Sequence, residues 1–171
     1  MDIRYVCSDE ERRTDTVLAA VAEWAAQAGI VLAGTVQPVD PCTAPEKCNI
    51  TLALLPDGER RHISHPLQPG VTGCRLNPEA LEDAVMAVHQ RLPAARALVV
   101  NKFGKQEAAG RGLVAAIGEA CGRGIPVLVG VSPEWRDAFL AFADGRTEPL
   151  PADAEQVFDW LRAACTGRAA A

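Results

Sequence analysis

Residues 97–107 read Ala-Leu-Val-Val-Asn-Lys-Phe-Gly-Lys-Gln-Glu. The first four residues are apolar without interruption, which is typical of a strand buried on both faces of a parallel sheet. The pattern predicts a strand over 97–100 that ends at Asn101 and presents polar residues at the sheet edge. Ligands of open α/β sheets bind beyond the carboxyl ends of parallel strands, so we expect a binding site at this edge.

Strand and helix signals alternate on both sides of residues 97–100. Short apolar runs predict strands at 3–7, 30–37 and 126–131. Capping residues followed by apolar positions at helical spacing predict helices from Asp15, from Asn77, over 107–121, over 132–144 and from Asp153. This alternation indicates parallel strands joined by helices.

The middle of the chain departs from that alternation. Residues 49–55 and 60–64 are strand-like and flank the turn Pro56-Asp57-Gly58, which predicts an antiparallel hairpin. The predicted fold class is therefore a three-layer α/β fold whose mostly parallel sheet contains one antiparallel hairpin excursion. We expect a single domain over residues 1–165 and a frayed C-terminal tail at 166–171.

Composition excludes several classes of protein. A chain of 171 residues that is 49% hydrophobic and 23% charged is neither disordered nor fibrous. Its net charge of −5 lacks the positive excess that nonspecific nucleic-acid binding requires. The sequence shows neither a secretory signal nor a bilayer-spanning stretch, which predicts a cytosolic protein without membrane insertion. The six cysteines are then expected as free thiols, ligands or core residues.

The loop after the first predicted strand, residues 7–15, is a candidate anion site. Arg12 and Arg13 precede a helix, whose N-terminal N–H groups favour negative charge. The loop has no glycine and no Gly-Lys-Thr run, so it does not match a phosphate-binding P-loop. A solvated turn of mixed charge is the alternative interpretation.

The residues after position 100 form a second and more polar candidate. Asn101, Lys102, Lys105 and Arg111 are close in sequence, and we expect them to hold an anion. Glycine at positions 104, 110 and 112 allows the backbone to bend or to approach a ligand. Trp135, which follows the strand predicted at 126–131, could stack on a base or cover a ligand.

Residues 99–112 carry a resemblance, together with Gly73-Cys74-Arg75-Leu76-Asn77 and Gly34-Thr35-Val36-Gln37. From about residue 3 to 150 the chain resembles an uncharacterised bacterial family, catalogued as a domain of unknown function. Some members of that family are labelled as components of molybdate transport. The resemblance implies that Cys74 lines a site, and it implies a connection with molybdenum metabolism.

The layout is more distantly similar to the small P-loop nucleoside-triphosphatases, whose Walker-B segment reads Asp-Glu-Ile-Gly-x-Met-Glu. On that pattern Asn101 falls on the metal-binding aspartate and Lys102 on the adjacent glutamate, whereas Gly104 and Glu107 match. The Walker-A glycines are missing as well. The resemblance implies a P-loop-NTPase-like scaffold without a P-loop, in which an anion binds directly and Mg²⁺ is not required.

A third group of residues could bind a metal. Cys48, Cys74 and His62, with Cys42 and His65 nearby in the sequence, carry thiolate and imidazole ligands that suit zinc or copper. Their spacing matches no standard zinc finger, and buried or incidental thiols are the alternative interpretation.

We therefore predict a cytosolic, non-hydrolytic binding protein for an anionic small ligand, either a nucleotide or a molybdate-type oxyanion. A thiol and histidine metal-handling protein and a weak nucleoside-triphosphatase are the alternatives, and homo-oligomer formation is left open. The expected ligand-binding residues are Asn101, Lys102, Gly104, Lys105, Glu107, Arg111, Arg12, Arg13, Cys74 and Trp135.

Overall fold

A computed structural model describes residues 2–39, 50–65 and 76–167. Its centre is one seven-stranded sheet with the strand order β4-β3-β2-β5-β6-β1-β7. Strands β2, β5, β6, β1 and β7 run parallel, whereas β3 is antiparallel to both β2 and β4. The strands are β1 (Ile3–Cys7), β2 (Leu32–Val36), β3 (Thr51–Leu55), β4 (Glu59–His62), β5 (Ala97–Phe103), β6 (Val127–Val131) and β7 (Thr147–Leu150).

Helices cover both faces of the sheet, which confirms the three-layer α/β prediction. The helices are α1 (Arg13–Gln27), α2 (Pro78–Arg91), α3 (Lys105–Ala108), α4 (Val114–Gly122), α5 (Arg136–Phe142) and α6 (Ala154–Thr166). Helices α1 and α6 pack on one face, and α2, α4 and α5 pack on the other. No helix within the three described ranges is long and apolar enough to cross a membrane.

Local sequence signals explain where several helices begin. The Asn77 side chain accepts a hydrogen bond from the Ala80 N–H, and Asp153 caps α6 through the Gln156 N–H. Helix α1 differs from the prediction, because it begins at Arg13 and therefore contains Asp15 in its first turn. The last helix extends through Thr166, the first residue of the tail predicted at 166–171, and residues 168–171 lie outside those described.

One further prediction was wrong in detail, and one strand was not predicted. The helix predicted over 107–121 is divided into α3 and α4, because Gly110 and Gly112 adopt positive φ between them. Strand β7 was not predicted at all. It lies at the sheet edge, and Pro149 breaks the run of strand-forming residues that would have signalled it.

Strand β5 is longer than predicted and contains an irregularity. Val100 pairs with Val129 and Phe103 pairs with Val131, so β5 uses one more residue than β6 over this interval. Leu98, Val100 and Phe103 consequently belong to the core on the same face of the sheet. Asn101 and Lys102 lie inside this β-bulge, and the strand does not end where the apolar run ends.

Strands β2 and β5 approach each other closely at Gly34. Its φ of +119° is accessible to glycine, and a Cβ at this position would overlap the carbonyl group of Val99, its partner in β5. Gly34 therefore permits the pairing of the two strands.

We expect Gly34→Ala to lower the free energy of unfolding by about 3 kcal/mol or more, because it combines backbone strain with a steric overlap. Urea denaturation measures the change. Gly118→Ala in α4 is the matched control, since nothing lies near the added Cβ there, and it should stabilise the protein by about 0.5–1 kcal/mol. Equal effects of the two substitutions would contradict the role of Gly34.

Candidate functional site

A cavity of about 270 Å³ lies at the carboxyl ends of β1, β5 and β6. Strands β1 and β6 are neighbours in the sheet, but the chain leaves them in opposite directions. Helix α1 leads from β1 towards β2, on the β6 side of β1, and α5 leads from β6 to β7, on the other side of β1. Ligands of open α/β sheets bind at such a reversal of direction. The cavity is lined by Ser8, Asp9, Glu10, Glu11, Arg12, Thr14, Asp15, Gln37, Asn101, Lys102, Gly130, Val131, Ser132, Pro133 and Glu134.

The bulge in β5 brings two consecutive residues to this cavity. In a regular strand Asn101 and Lys102 would point to opposite faces of the sheet. Here both line the cavity: Asn101 is buried and Lys102 is exposed. The Asn101 side-chain oxygen accepts a hydrogen bond of 2.8 Å from the Gln37 N–H, which joins the end of β2 to β5. Asn101 therefore lines the cavity and also connects β5 to Gln37, which lines the cavity as well.

The loop between β1 and α1 forms the opposite wall. Arg12 occupies the residue before the helix with φ +59°, a left-handed conformation that is uncommon outside glycine. Its guanidinium group donates to the Pro38 carbonyl oxygen at 3.4 Å. A Cβ at Gly130 would overlap the Asn101 carbonyl oxygen and lie 2.8 Å from the Leu18 side chain. Gly130 thus allows α1 to lie close to β5 and β6 at the base of the cavity.

The lining is more acidic than the sequence suggested. Lys102 and Arg12 are its basic residues among those described, and they face the carboxylates of Asp9, Glu10, Glu11, Asp15 and Glu134. Burial raises the pKa of Asp15, and the positive charges of Lys102 and Arg12 oppose that rise. The two cations are therefore electrostatically coupled to a half-buried carboxylate instead of forming a purely positive crevice.

Glu107 is a structural centre of the neighbouring loop. Its carboxylate accepts hydrogen bonds from the Gly104 N–H at 3.1 Å and from the Leu113 N–H at 3.3 Å. The side chain is buried, and this burial raises its pKa although both hydrogen bonds act in the opposite direction. Glu107 and Gly104 do not line the cavity, so the structure places them in support of the loop and not in contact with a ligand there.

Four other predicted ligand residues also lie outside this lining. Lys105 is exposed, and the Arg111 guanidinium group donates to the Gln106 side chain at 2.9 Å. The Arg13 guanidinium group donates to the Ala152 carbonyl oxygen at 2.9 Å, which connects α1 to the segment before α6. Trp135 is half-buried and packs against the core. Sequence proximity to a strand end did not indicate which way these side chains point.

The predicted metal ligands are only partly within the described residues. Cys48 and Cys74 lie outside the described residues. The prediction that Cys74 lines the ligand site therefore also falls outside them. His62 is on β4, where its ring forms hydrogen bonds with the hydroxyl groups of Thr51 and Ser64 at 3.2 and 3.3 Å. Within residues 2–39, 50–65 and 76–167 no three His, Cys, Asp or Glu side chains are grouped as metal ligands.

Comparisons with known proteins agree with this architecture. Residues 3–160 match the family described as "Protein of unknown function (DUF2478)". A "Molybdenum import ATP-binding protein ModC 2" of Bradyrhizobium diazoefficiens is 33% identical over 149 residues, which are 86% of this chain but 17% of that protein. The chain thus spans about a sixth of that relative's length.

Two solved structures share the fold. The crystal structure of THEP1 from Aquifex aeolicus superposes with a TM-score of 0.61 at 12% identity, over 95% of each chain. The solution structure of a human cancer-related nucleoside triphosphatase superposes with a TM-score of 0.59 at 13% identity, over 98% of this chain and 97% of that one. The chain therefore shares its three-layer fold with these two proteins, one of which is named a nucleoside triphosphatase.

Aligned on the P-loop pattern, the loop from β1 to α1 keeps only the hydroxyl residue, and the arginine at the lysine position lies outside the cavity lining. The pattern Gly-x4-Gly-Lys-Ser/Thr corresponds here to Cys7, four residues, Arg12, Arg13 and Thr14. Arg12 has the left-handed backbone at the second glycine position, and Thr14 supplies the hydroxyl group and lines the cavity. Sequence reasoning treated Asp15 as a helix cap and not as a lining residue.

We expect Gly112→Ala to destabilise the protein by more than the cost of its positive φ, about 1 kcal/mol, because the added Cβ would overlap the Glu107 carboxylate. Gly110→Ala is the matched control, since its φ is also positive and its surroundings are open. The difference in unfolding free energy between the two variants measures the Glu107 contact. Identical values would contradict the central position of Glu107.

We expect Asp15→Asn to raise the thermal midpoint at pH 7 by more than at pH 3. Because burial raises the pKa of Asp15 in the folded state, its ionisation costs stability, and this cost appears as the pH rises through the folded pKa. At pH 3 the carboxyl group is largely protonated in both states, and the amide should change little. The prediction would be contradicted if the stability of the wild type relative to Asp15→Asn increased with pH. The attraction of Lys102 and Arg12 for the Asp15 carboxylate would then exceed the cost of burying it.

Proposed function

Since the chain belongs to the DUF2478 family, whose description assigns no activity, we propose a function on the basis of the cavity. The protein binds the phosphate groups of a nucleotide in this cavity and does not hydrolyse the nucleotide efficiently. One observation carries this proposal. The cavity combines the direction reversal of the sheet, the N-terminus of the 15-residue helix α1 and two cations, Arg12 and Lys102. Helix N-termini and cationic side chains both favour phosphate groups.

The acidic lining favours a nucleotide over a free oxyanion. A small oxyanion would have to compete with the carboxylates for the charge of Lys102 and Arg12. Asp9, Glu10 and Glu11 are exposed, so water and salt weaken their repulsion, but Asp15 is half-buried. A nucleotide can offset this repulsion through contacts made by its other parts. Molybdate binding remains a prediction, supported by the name of the partly aligned relative.

The two polar residues of the β5 bulge support weak or absent hydrolysis. Asn101 and Lys102 stand where the Walker-B pattern has its aspartate and glutamate, and the Asn101 oxygen already accepts the Gln37 N–H. At these two positions an amide and an ammonium group supply neither a carboxylate for Mg²⁺ nor a base for water, so hydrolysis would depend on the carboxylates of the loop from β1 to α1 or on Glu134. Nucleotide binding without Mg²⁺ and a cytosolic location also remain predictions.

Calorimetric titration with ATP and GTP, each with and without Mg²⁺, tests the proposal. We expect Lys102→Ala to weaken nucleotide binding by about 10- to 100-fold, the effect of one hydrogen bond to a charged group. Lys105→Ala removes the same charge from an exposed residue outside the cavity lining, and it should change the affinity by less than about twofold.

Equal losses in the two lysine variants would show that overall charge, and not the cavity, attracts the nucleotide. Competition with molybdate, tungstate and sulfate distinguishes an oxyanion protein, because an oxyanion that binds more tightly than ATP or GTP would overturn the choice of nucleotide. Phosphate release that is fast with Mg²⁺ would contradict the absence of efficient hydrolysis and favour the nucleoside-triphosphatase alternative.

A further inference from the structure

A second cavity, also of about 270 Å³, lies beside the first at the carboxyl ends of β1 and β7. The two cavities share Asp9 and Pro133 in their linings, so they adjoin each other at the edge of the sheet. The second cavity is lined by Tyr5, Cys7, Asp9, Pro133, Arg136, Pro149 and Leu150.

Tyr5 is the observation that points to a ligand. The residue is only 4% exposed, and its ring packs against Phe139 with a centroid distance of 5.2 Å. Its hydroxyl group forms no hydrogen bond with another residue in the described part of the chain, and it is not among the buried polar atoms that lack a partner, so the oxygen is accessible from the cavity. A tyrosine hydroxyl group can donate and accept a hydrogen bond, and here a ligand in the cavity can use it.

The remaining lining residues determine which chemistry the second cavity suits. Arg136 offers several N–H donors and Asp9 offers carboxylate acceptors, and these two groups do not form an ion pair with each other within the described residues. Pro133, Pro149 and Leu150 supply apolar surface. Burial raises the pKa of the Cys7 thiol, so it contributes a neutral group. Donors, acceptors and apolar walls together fit a flat heterocycle with polar edges.

We infer that the second cavity binds the nucleobase of a nucleotide whose phosphate groups occupy the first cavity. This inference rests on the proposed function and extends it, because it requires the ligand to be a whole nucleotide and not a phosphate chain. A second phosphate subsite fits less well, since the Asp9 carboxylate lines this cavity together with Arg136. The Tyr5 hydroxyl group and Arg136 contact the base edge.

The test compares ATP and GTP with inorganic tripolyphosphate, which has the phosphate chain but no base. Tyr5→Phe removes only the hydroxyl group and keeps the ring against Phe139, and Arg136→Gln removes the charge of an exposed residue. Arg146→Gln is the control, because Arg146 is exposed and precedes β7 at the opposite end of the strand. Calorimetry gives the three affinities for each protein.

We expect Tyr5→Phe to weaken the better-bound nucleotide roughly three- to tenfold, and Arg136→Gln by about tenfold or more. Neither variant should change tripolyphosphate binding, and Arg146→Gln should change none of the affinities. The thermal midpoint of Tyr5→Phe without ligand should equal or exceed that of the wild type, because the hydroxyl group lacks a described protein partner.

Equal weakening of nucleotide and tripolyphosphate would overturn the inference, since the second cavity would then hold phosphate. No weakening of either would overturn it as well. If tripolyphosphate bound as tightly as ATP and GTP, the base would contribute nothing to the affinity and the inference would be overturned. The proposed phosphate site in the first cavity would still stand. Failure of all three to bind, in the wild type, would instead overturn the proposed function itself.

Discussion

The β-bulge at Asn101 and Lys102 is the feature on which the rest of the site depends. The extra residue in β5 keeps Phe103 in the same core layer as Val100 and turns two consecutive polar residues towards one cavity. Asn101 then joins β5 to the end of β2 through the Gln37 N–H. Gly130 in β6 lets α1 lie close to the same point. The bulge in β5 and the absence of a side chain at Gly130 together position β2, β5, β6 and α1 around the cavity.

Charge within the cavity is balanced in an unusual way. Lys102 and Arg12 interact electrostatically with the half-buried carboxylate of Asp15, and exposed carboxylates line the same cavity. Such an arrangement disfavours a small free anion, because the cations already interact with a fixed carboxylate. A larger ligand can gain affinity elsewhere, and the adjoining cavity around Tyr5 and Arg136 provides the surface for it. The nucleotide proposal therefore rests on the first cavity, and the base proposal rests on the lining of the adjoining cavity.

The loop that follows β5 has a different role. Glu107 accepts hydrogen bonds from both ends of the loop, at Gly104 and Leu113, and Gly112 leaves room for its carboxylate. This network orders the chain between β5 and α4. The fold therefore uses the most polar part of the predicted site to support the loop, and it uses Lys102 alone among the predicted lysines to line the cavity.

The sequence by itself determined the α/β architecture, the hairpin and the sheet edge that carries the cavity, because apolar runs, helical spacing and capping residues are local properties of the chain. It did not show that Lys105, Arg111 and Arg13 lie outside the cavity lining, or that Asp15 and Tyr5 line cavities. Only the tertiary structure decided these points. The direction of a side chain at the end of a strand depends on the register with its neighbour, and a single extra residue in β5 changes that direction without altering the sequence pattern.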